Sequence, residues 1–210
     1  MHLQKILLGV TLAAPIGPVS IEMIKRGLKD GFWGAFNIRL GGVLGNTLCL
    51  IAAYFGLSAL QNYGSVFIAL GLLGSALLLY MGATTIKKAF KPIHLEFSAK
   101  TLRNSKNPLR ESLILGFMLA ILNPVAVVFW LSIFANDIDP NQPVHWLHLL
   151  YNMQIILGVL LWGVLLSTLL EFGRRSLSPK MIRFITFAAG MVLLYFGIKY
   201  GYQNILKLQA

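Results

Sequence analysis

Apolar residues along this chain are gathered into six long, nearly continuous stretches separated by shorter polar ones. They run approximately over 6–24, 40–60, 65–86, 113–135, 146–170 and 184–202. Each has close to the ~20 apolar residues that a helix needs to cross a bilayer. The pattern predicts an all-α membrane protein with six transmembrane helices in a single domain over residues 1–210. The first stretch does not read as a secretory signal: only Lys5 precedes its apolar run, it contains Pro15 and Pro18, and further spans follow.

Composition supports the same class. Hydrophobic residues make up 57% of the 210 residues and charged residues 12%, about half the charged share usual in a soluble domain. The formal charge of +11 invites a nucleic-acid reading, but the basic residues are sorted by alternate connections. Lys25, Arg26, Lys29 and Arg39 flank the first connection; the third carries Lys87, Lys88, Lys91, Lys100, Arg103, Lys106 and Arg110; the fifth carries Arg174, Arg175, Lys180 and Arg183. The second, 61–64, is neutral and the fourth, 136–145, holds Asp137 and Asp139. The positive-inside rule places the basic connections in the cytoplasm and both termini outside a cytoplasmic (inner) membrane. The basic residues are then topogenic and rest against anionic lipid headgroups, with no nucleic-acid partner.

Chemistry-bearing side chains are sparse. Cys49 is the single cysteine, and of the four histidines only His145 and His148 share a helical face. No histidine, acid and nucleophile cluster suggests an enzyme, and no thiol or carboxylate set suggests a metal or another cofactor.

The halves echo each other. Leu8-Gly9 ahead of Pro18 resembles Leu115-Gly116 ahead of Pro124. Gly42-Val43-Leu44 leading to Phe55-Gly56 resembles Gly158-Val159-Leu160 leading to Phe172-Gly173, and Leu78-Leu79-Tyr80-Met81-Gly82 resembles Leu193-Leu194-Tyr195-Phe196-Gly197. The echoes keep their order, which predicts a duplicated three-helix unit, 1–86 and 112–210, joined by a cytoplasmic linker over 87–111. With three spans per unit the second copy enters the membrane from the opposite side, the inverted-repeat plan of many secondary transporters.

Both units open on a broken helix. Pro15-Ile16-Gly17-Pro18 interrupts the first span and Asn123-Pro124 the fourth. Proline removes an amide donor and clashes with the preceding turn, and the freed backbone survives only against protein or a wet cavity. After Pro18 and Pro124 a half-helix restarts, its unpaired amides and positive dipole end directed toward the midplane, where a substrate carboxylate is the natural ligand. The alternative is a pair of packing kinks. Glu22, one turn beyond Pro18, is suited to a substrate ammonium or a coupling proton, or else to pairing with Lys25, Arg26 or Lys29. Gly41, Gly45, Cys49, Ala53 and Gly56 form a stripe of small residues for close helix approach, and Asn46 beside it is expected to bond across to a broken helix. Tyr80, Tyr195, Asn152 and Gln154 are further polar candidates.

The set Pro15-Ile16-Gly17-Pro18, Gly27, Gly31, Gly41, Gly45 and Asn123-Pro124 resembles the LysE/RhtB lysine-exporter family, over most of the chain. The resemblance implies export of an amino acid driven by the proton-motive force. It also implies a functional core of Pro15, Gly17, Pro18, Gly41, Gly45, Asn123 and Pro124. Asn46 stands where many relatives carry an aspartate, so the resemblance assigns no proton carrier here; Glu22, where relatives are more often uncharged, is the candidate to compensate. The substrate-binding set expected is Pro15, Gly17, Pro18, Glu22, Gly41, Gly45, Asn46, Asn123 and Pro124. Competing readings are a cation or metal-ion efflux protein and an accessory membrane subunit. The small-residue stripe also suits contacts between protomers of a homo-oligomer.

Overall fold

A computed structural model describes residues 2–15, 17–59, 64–90, 107–137, 145–172 and 179–209. Most of the cytoplasmic linker expected over 87–111, the acidic residue Asp139, and Arg174 and Arg175 lie outside the described residues. Every described element is helical: α1 (His2–Ala13), α2 (Pro18–Ala59), α3 (Gly64–Ala89), α4 (Pro108–Ile121), α5 (Pro124–Asp137), α6 (Trp146–Phe172) and α7 (Pro179–Gln209). Four helices are long and apolar enough to cross a membrane alone, and α4 with α5, bent by 61°, make a fifth candidate span. α1 is apolar but shorter.

The sequence reading put the first connection between residues 24 and 40, and α2, helical on both sides, is broken within that interval. Gly31 has φ 70° and ψ −155°, a conformation open essentially only to glycine. A Cβ built on Gly27 would lie 3.1 Å from Ala35 Cβ, and one on Gly34 would lie 2.7 Å from the Arg26 carbonyl oxygen. Eight residues of straight helix rise about 12 Å, so these approaches require the chain to fold back at Gly31. Residues 18–30 and 32–59 are thus two helical arms. Glu171 at the end of α6 holds the turn by accepting a 2.6 Å hydrogen bond from the Phe32 amide, which satisfies one of the free donors that begin the second arm. Met23, Ile24, Ala35 and Ile38 from both arms form a buried cluster with Leu166 and Leu170 of α6.

Glycines set the helix seams. A Cβ on Gly41 would strike the Leu113 carbonyl of α4, and one on Gly45 would lie 2.8 Å from Ala120 Cβ. The echoed residues meet in exchanged pairs. A Cβ built on Gly9 of α1 would lie 3.0 Å from Gly158 Cα of α6, and one on Gly116 of α4 would lie 3.1 Å from the Gly42 amide of α2. A Cβ on Gly82 of α3 would lie 2.8 Å from the Leu194 side chain of α7, and one on Gly197 of α7 would lie 2.8 Å from that of Leu79 of α3.

The polar contacts gather at two ends of the bundle. At one, Lys5 pairs with Asp137, Lys199 donates to Gln4 at 3.1 Å, and Asn204 bonds Asn136. At the other, the Gly31 turn meets Glu171 and Arg26 approaches Glu111 at 3.7 Å. The larger apolar core, which includes Phe129, Trp130, Phe134, Ile155 and Trp162, lies between them. Large apolar side chains such as Leu161, Tyr195 and Ile198 remain on the outside, as expected of a surface that faces lipid.

Candidate functional site

The two proline-bearing breaks are built differently. At the first, α1 ends at Ala13 and α2 begins at Pro18, with the Ala14 amide still bonded to the Val10 carbonyl at 2.9 Å. Pro15 and Pro18 have no N–H to give the Thr11 and Ala14 carbonyls, and the helix end leaves further carbonyls needing donors. Ser20, buried near the start of α2, serves two carbonyls of the break: its hydroxyl lies 3.3 Å from the Ala13 carbonyl and 3.2 Å from that of Pro15. Gly17, at the cap position before Pro18, has no side chain with which to cap the helix start, and a Cβ placed there would meet nothing within 4 Å.

At the second break α4 tightens at its end, with the Leu122 amide on the Met118 carbonyl at 3.0 Å and the Asn123 amide on that of Ala120 at 3.3 Å. Asn123 then caps α5 itself, its Oδ1 accepting from the Val125 amide at 3.1 Å, and Pro124 takes the first helical position. Asparagine followed by proline is a strong helix start for these two reasons.

A cavity of about 420 Å³ lies between the breaks. Pro15, Gly17 and Pro18 border it from the first, Asn123 from the second, and Asn46 from α2. The structure therefore brings five of the nine expected site residues to the lining of one cavity. Asn46 bonds across to a broken helix as expected, its Oδ1 accepting from the Trp130 indole N–H at 3.3 Å; its amide donates to the Gly42 carbonyl at 2.9 Å. Tyr80, also anticipated, reaches the wall, whereas Tyr195 is exposed elsewhere.

The other four expected residues are placed differently. Gly41 and Gly45 form the α2–α4 seam described above. Glu22 is off the wall and pairs with Lys25 at 2.8 Å, the alternative its sequence neighbours offered. Pro124 begins α5 beside Asn123.

Arg39 was read as a charge flanking a connection, and the structure corrects this. It lies inside the second arm of α2, is only 4% exposed, and borders the cavity with Asn46. The two are seven residues apart, so they share one helix face about 10 Å apart along the axis. The Arg39 side-chain stem lies on Gly163 of α6, where a Cβ would come within 3.0 Å of its Cβ and Cδ. Its Nε and Nη2 have no hydrogen-bond partner among the described residues. The signal available in the sequence was the apolar run Phe32-Trp33-Gly34-Ala35-Phe36 ahead of it, which starts the helix earlier than residue 40.

A second cavity, of about 710 Å³, lies at the end where Lys5 and Asp137 pair. Lys5 is buried, bonds Asn152 Oδ1 at 3.0 Å and lies 4.9 Å from the centroid of the Tyr151 ring. Asn152 and Gln154, singled out from the sequence, thus belong to this end. Among the described residues no three His, Cys, Asp or Glu side chains gather as a metal site would require.

Comparison with known proteins gives a consistent result. Residues 10–204 match the profile of a family described as LysE type translocator. YcgF of Bacillus subtilis (strain 168), provisionally named an amino acid efflux protein, is 33% identical over 210 residues, covering 99% of this chain and 98% of its own. The chemotactic transduction protein ChpE of Pseudomonas aeruginosa is 27% identical over 200 residues, covering 92% and 94%. The leucine efflux protein of Salmonella choleraesuis (strain SC-B67) is 25% identical over 128 residues, covering 60% and 58%. No solved structure matches the chain.

Proposed function

The chain belongs to the LysE type translocator family, and from that premise we propose that it exports an amino acid across the cytoplasmic membrane, driven by the proton-motive force. The substrate occupies the cavity between the two helix breaks. The observation that carries this reading is the convergence of Pro15, Gly17, Pro18 and Asn123 on one cavity although the two breaks are far apart in sequence. At each break one helix ends and another begins, so a helix C-terminal end and a helix N-terminal end both lie beside the cavity. A zwitterion needs both: its ammonium suits the former and its carboxylate the latter.

The architecture that supports export is six crossings in two inverted units. In this reading α1 with residues 18–30 makes the first crossing, residues 32–59 the second and α4 with α5 the fourth. The fold-back at Gly31 supports that count, and the exchanged pairs Gly9–Gly158 and Gly116–Gly42 support the two-fold relation. Both termini lie outside, at the end where Lys5 and Asp137 pair, and the basic connections face the cytoplasm.

Substrate loss from preloaded proteoliposomes tests the function. Efflux of labelled leucine or another amino acid that quickens under an imposed proton gradient is the expected result. Vesicles that retain every amino acid would rule the reading out.

A further inference from the structure

Resting on that reading, we infer that Arg39 receives the substrate carboxylate, and that the site takes amino acids with an uncharged, apolar side chain and discriminates against lysine and arginine. The first ground is the state of the guanidinium. Arg39 is 4% exposed, and none of the ion pairs between described residues involves it: Lys5–Asp137, Lys25–Glu22 and Arg26–Glu111 are formed by others. A buried charge without a partner is strongly unfavourable, and two of its three nitrogens lack hydrogen-bond partners among the described residues. A carboxylate supplies the missing charge and matches the planar fork with two parallel hydrogen bonds.

The second ground is position. Arg39 borders the same cavity as the α2 start at Gly17 and Pro18. That helix start has no side-chain cap, whereas Asn123 occupies an amide at the start of α5. The two breaks are therefore not equivalent, and the anion belongs at the first. Arg39 and the helix dipole act there on the same group.

The third ground is the rest of the wall. Among the described residues its charged members are Arg39 and Lys88, with no aspartate or glutamate, and Phe129, Met81, Leu119 and Val159 supply apolar surface. A cationic side chain would find two like charges and no counter-charge. An aliphatic one would be buried favourably.

Competition against labelled leucine counterflow in proteoliposomes of the unmodified protein tests this through the ligand. Unlabelled leucine and 4-methylpentanoate, which keeps the carboxylate and lacks the amine, are expected to compete. Leucinamide, which lacks the carboxylate, and lysine are expected to be weaker by roughly tenfold or more. In Arg39→Gln the preference for leucine over leucinamide should vanish, while the melting temperature holds or rises because an unpaired buried charge has gone. Leucinamide competing as well as leucine, or lysine outcompeting it, would overturn the inference and leave export standing. Absence of counterflow for any amino acid would overturn both.

Discussion

The indole of Trp130 donates to Asn46 Oδ1 at 3.3 Å, tying the second arm of α2 to the half-helix that follows the second break. Both residues border the cavity, so this bond fixes one wall of the site. Asn46→Ala leaves the Trp130 N–H without its acceptor, at a cost of about 1 kcal/mol, read as a modest fall in melting temperature in detergent. Asn46→Asp keeps an acceptor but sets a carboxylate on the Arg39 face of α2. It should weaken leucine transport by roughly tenfold by competing for the guanidinium.

Helix approach depends on particular glycines. Gly41→Ala drives a methyl into the Leu113 carbonyl, whereas a Cβ on Gly56 meets nothing within 4 Å. The first should destabilise by about 1–3 kcal/mol and the second by less than about 0.5 kcal/mol, compared by thermal unfolding of the purified variants.

Gly31 is required for its backbone. At φ 70° and ψ −155°, Gly31→Ala costs on the order of 1–3 kcal/mol and its Cβ also meets the Glu171 carboxylate. Glu171→Gln, which keeps an acceptor for the Phe32 amide, should be much milder. The yield of monodisperse protein after solubilisation compares them.

Lys5→Ala strands Asp137 beside Tyr151 and Tyr200 at the wall of the second cavity. Loss of one partner from a buried pair costs roughly 3 kcal/mol or more, and Asp137→Asn in the Lys5→Ala background should recover part of it. Melting temperatures of the single and double variants check this.

Much of the architecture was legible because its causes are local. Continuous apolar stretches mark helices, and Pro15, Pro18 and Pro124 mark breaks through chemistry that proline carries anywhere. The glycine stripe was legible as close approach, and for Gly41 and Gly45 the structure supplies the partner, α4, whereas Gly56 has open space around it. Asn46 was legible as a residue needing a partner, but Trp130 as that partner was not, because the pair spans 84 residues. Lys5 was read only as the charge ahead of the first apolar run for the same reason, its partner Asp137 lying 132 residues away. Arg39 was misread because a charge near basic neighbours resembles a loop flank. Only the fold-back at Gly31 starts the helix early enough to carry it inside. Glu22 stood equally open to two roles, and its distance from Lys25 favours the ion pair.

The most direct test of the account is whether substrate fills the cavity between the breaks. Thr84 borders that cavity, and Cys49→Ala removes the native thiol, so a protein carrying Cys49→Ala and Thr84→Cys has one reporter there. Leucine should slow maleimide labelling of that thiol in proportion to its occupancy, while leucinamide should not. Labelling that leucine leaves unchanged, in vesicles shown to export leucine, would contradict the account.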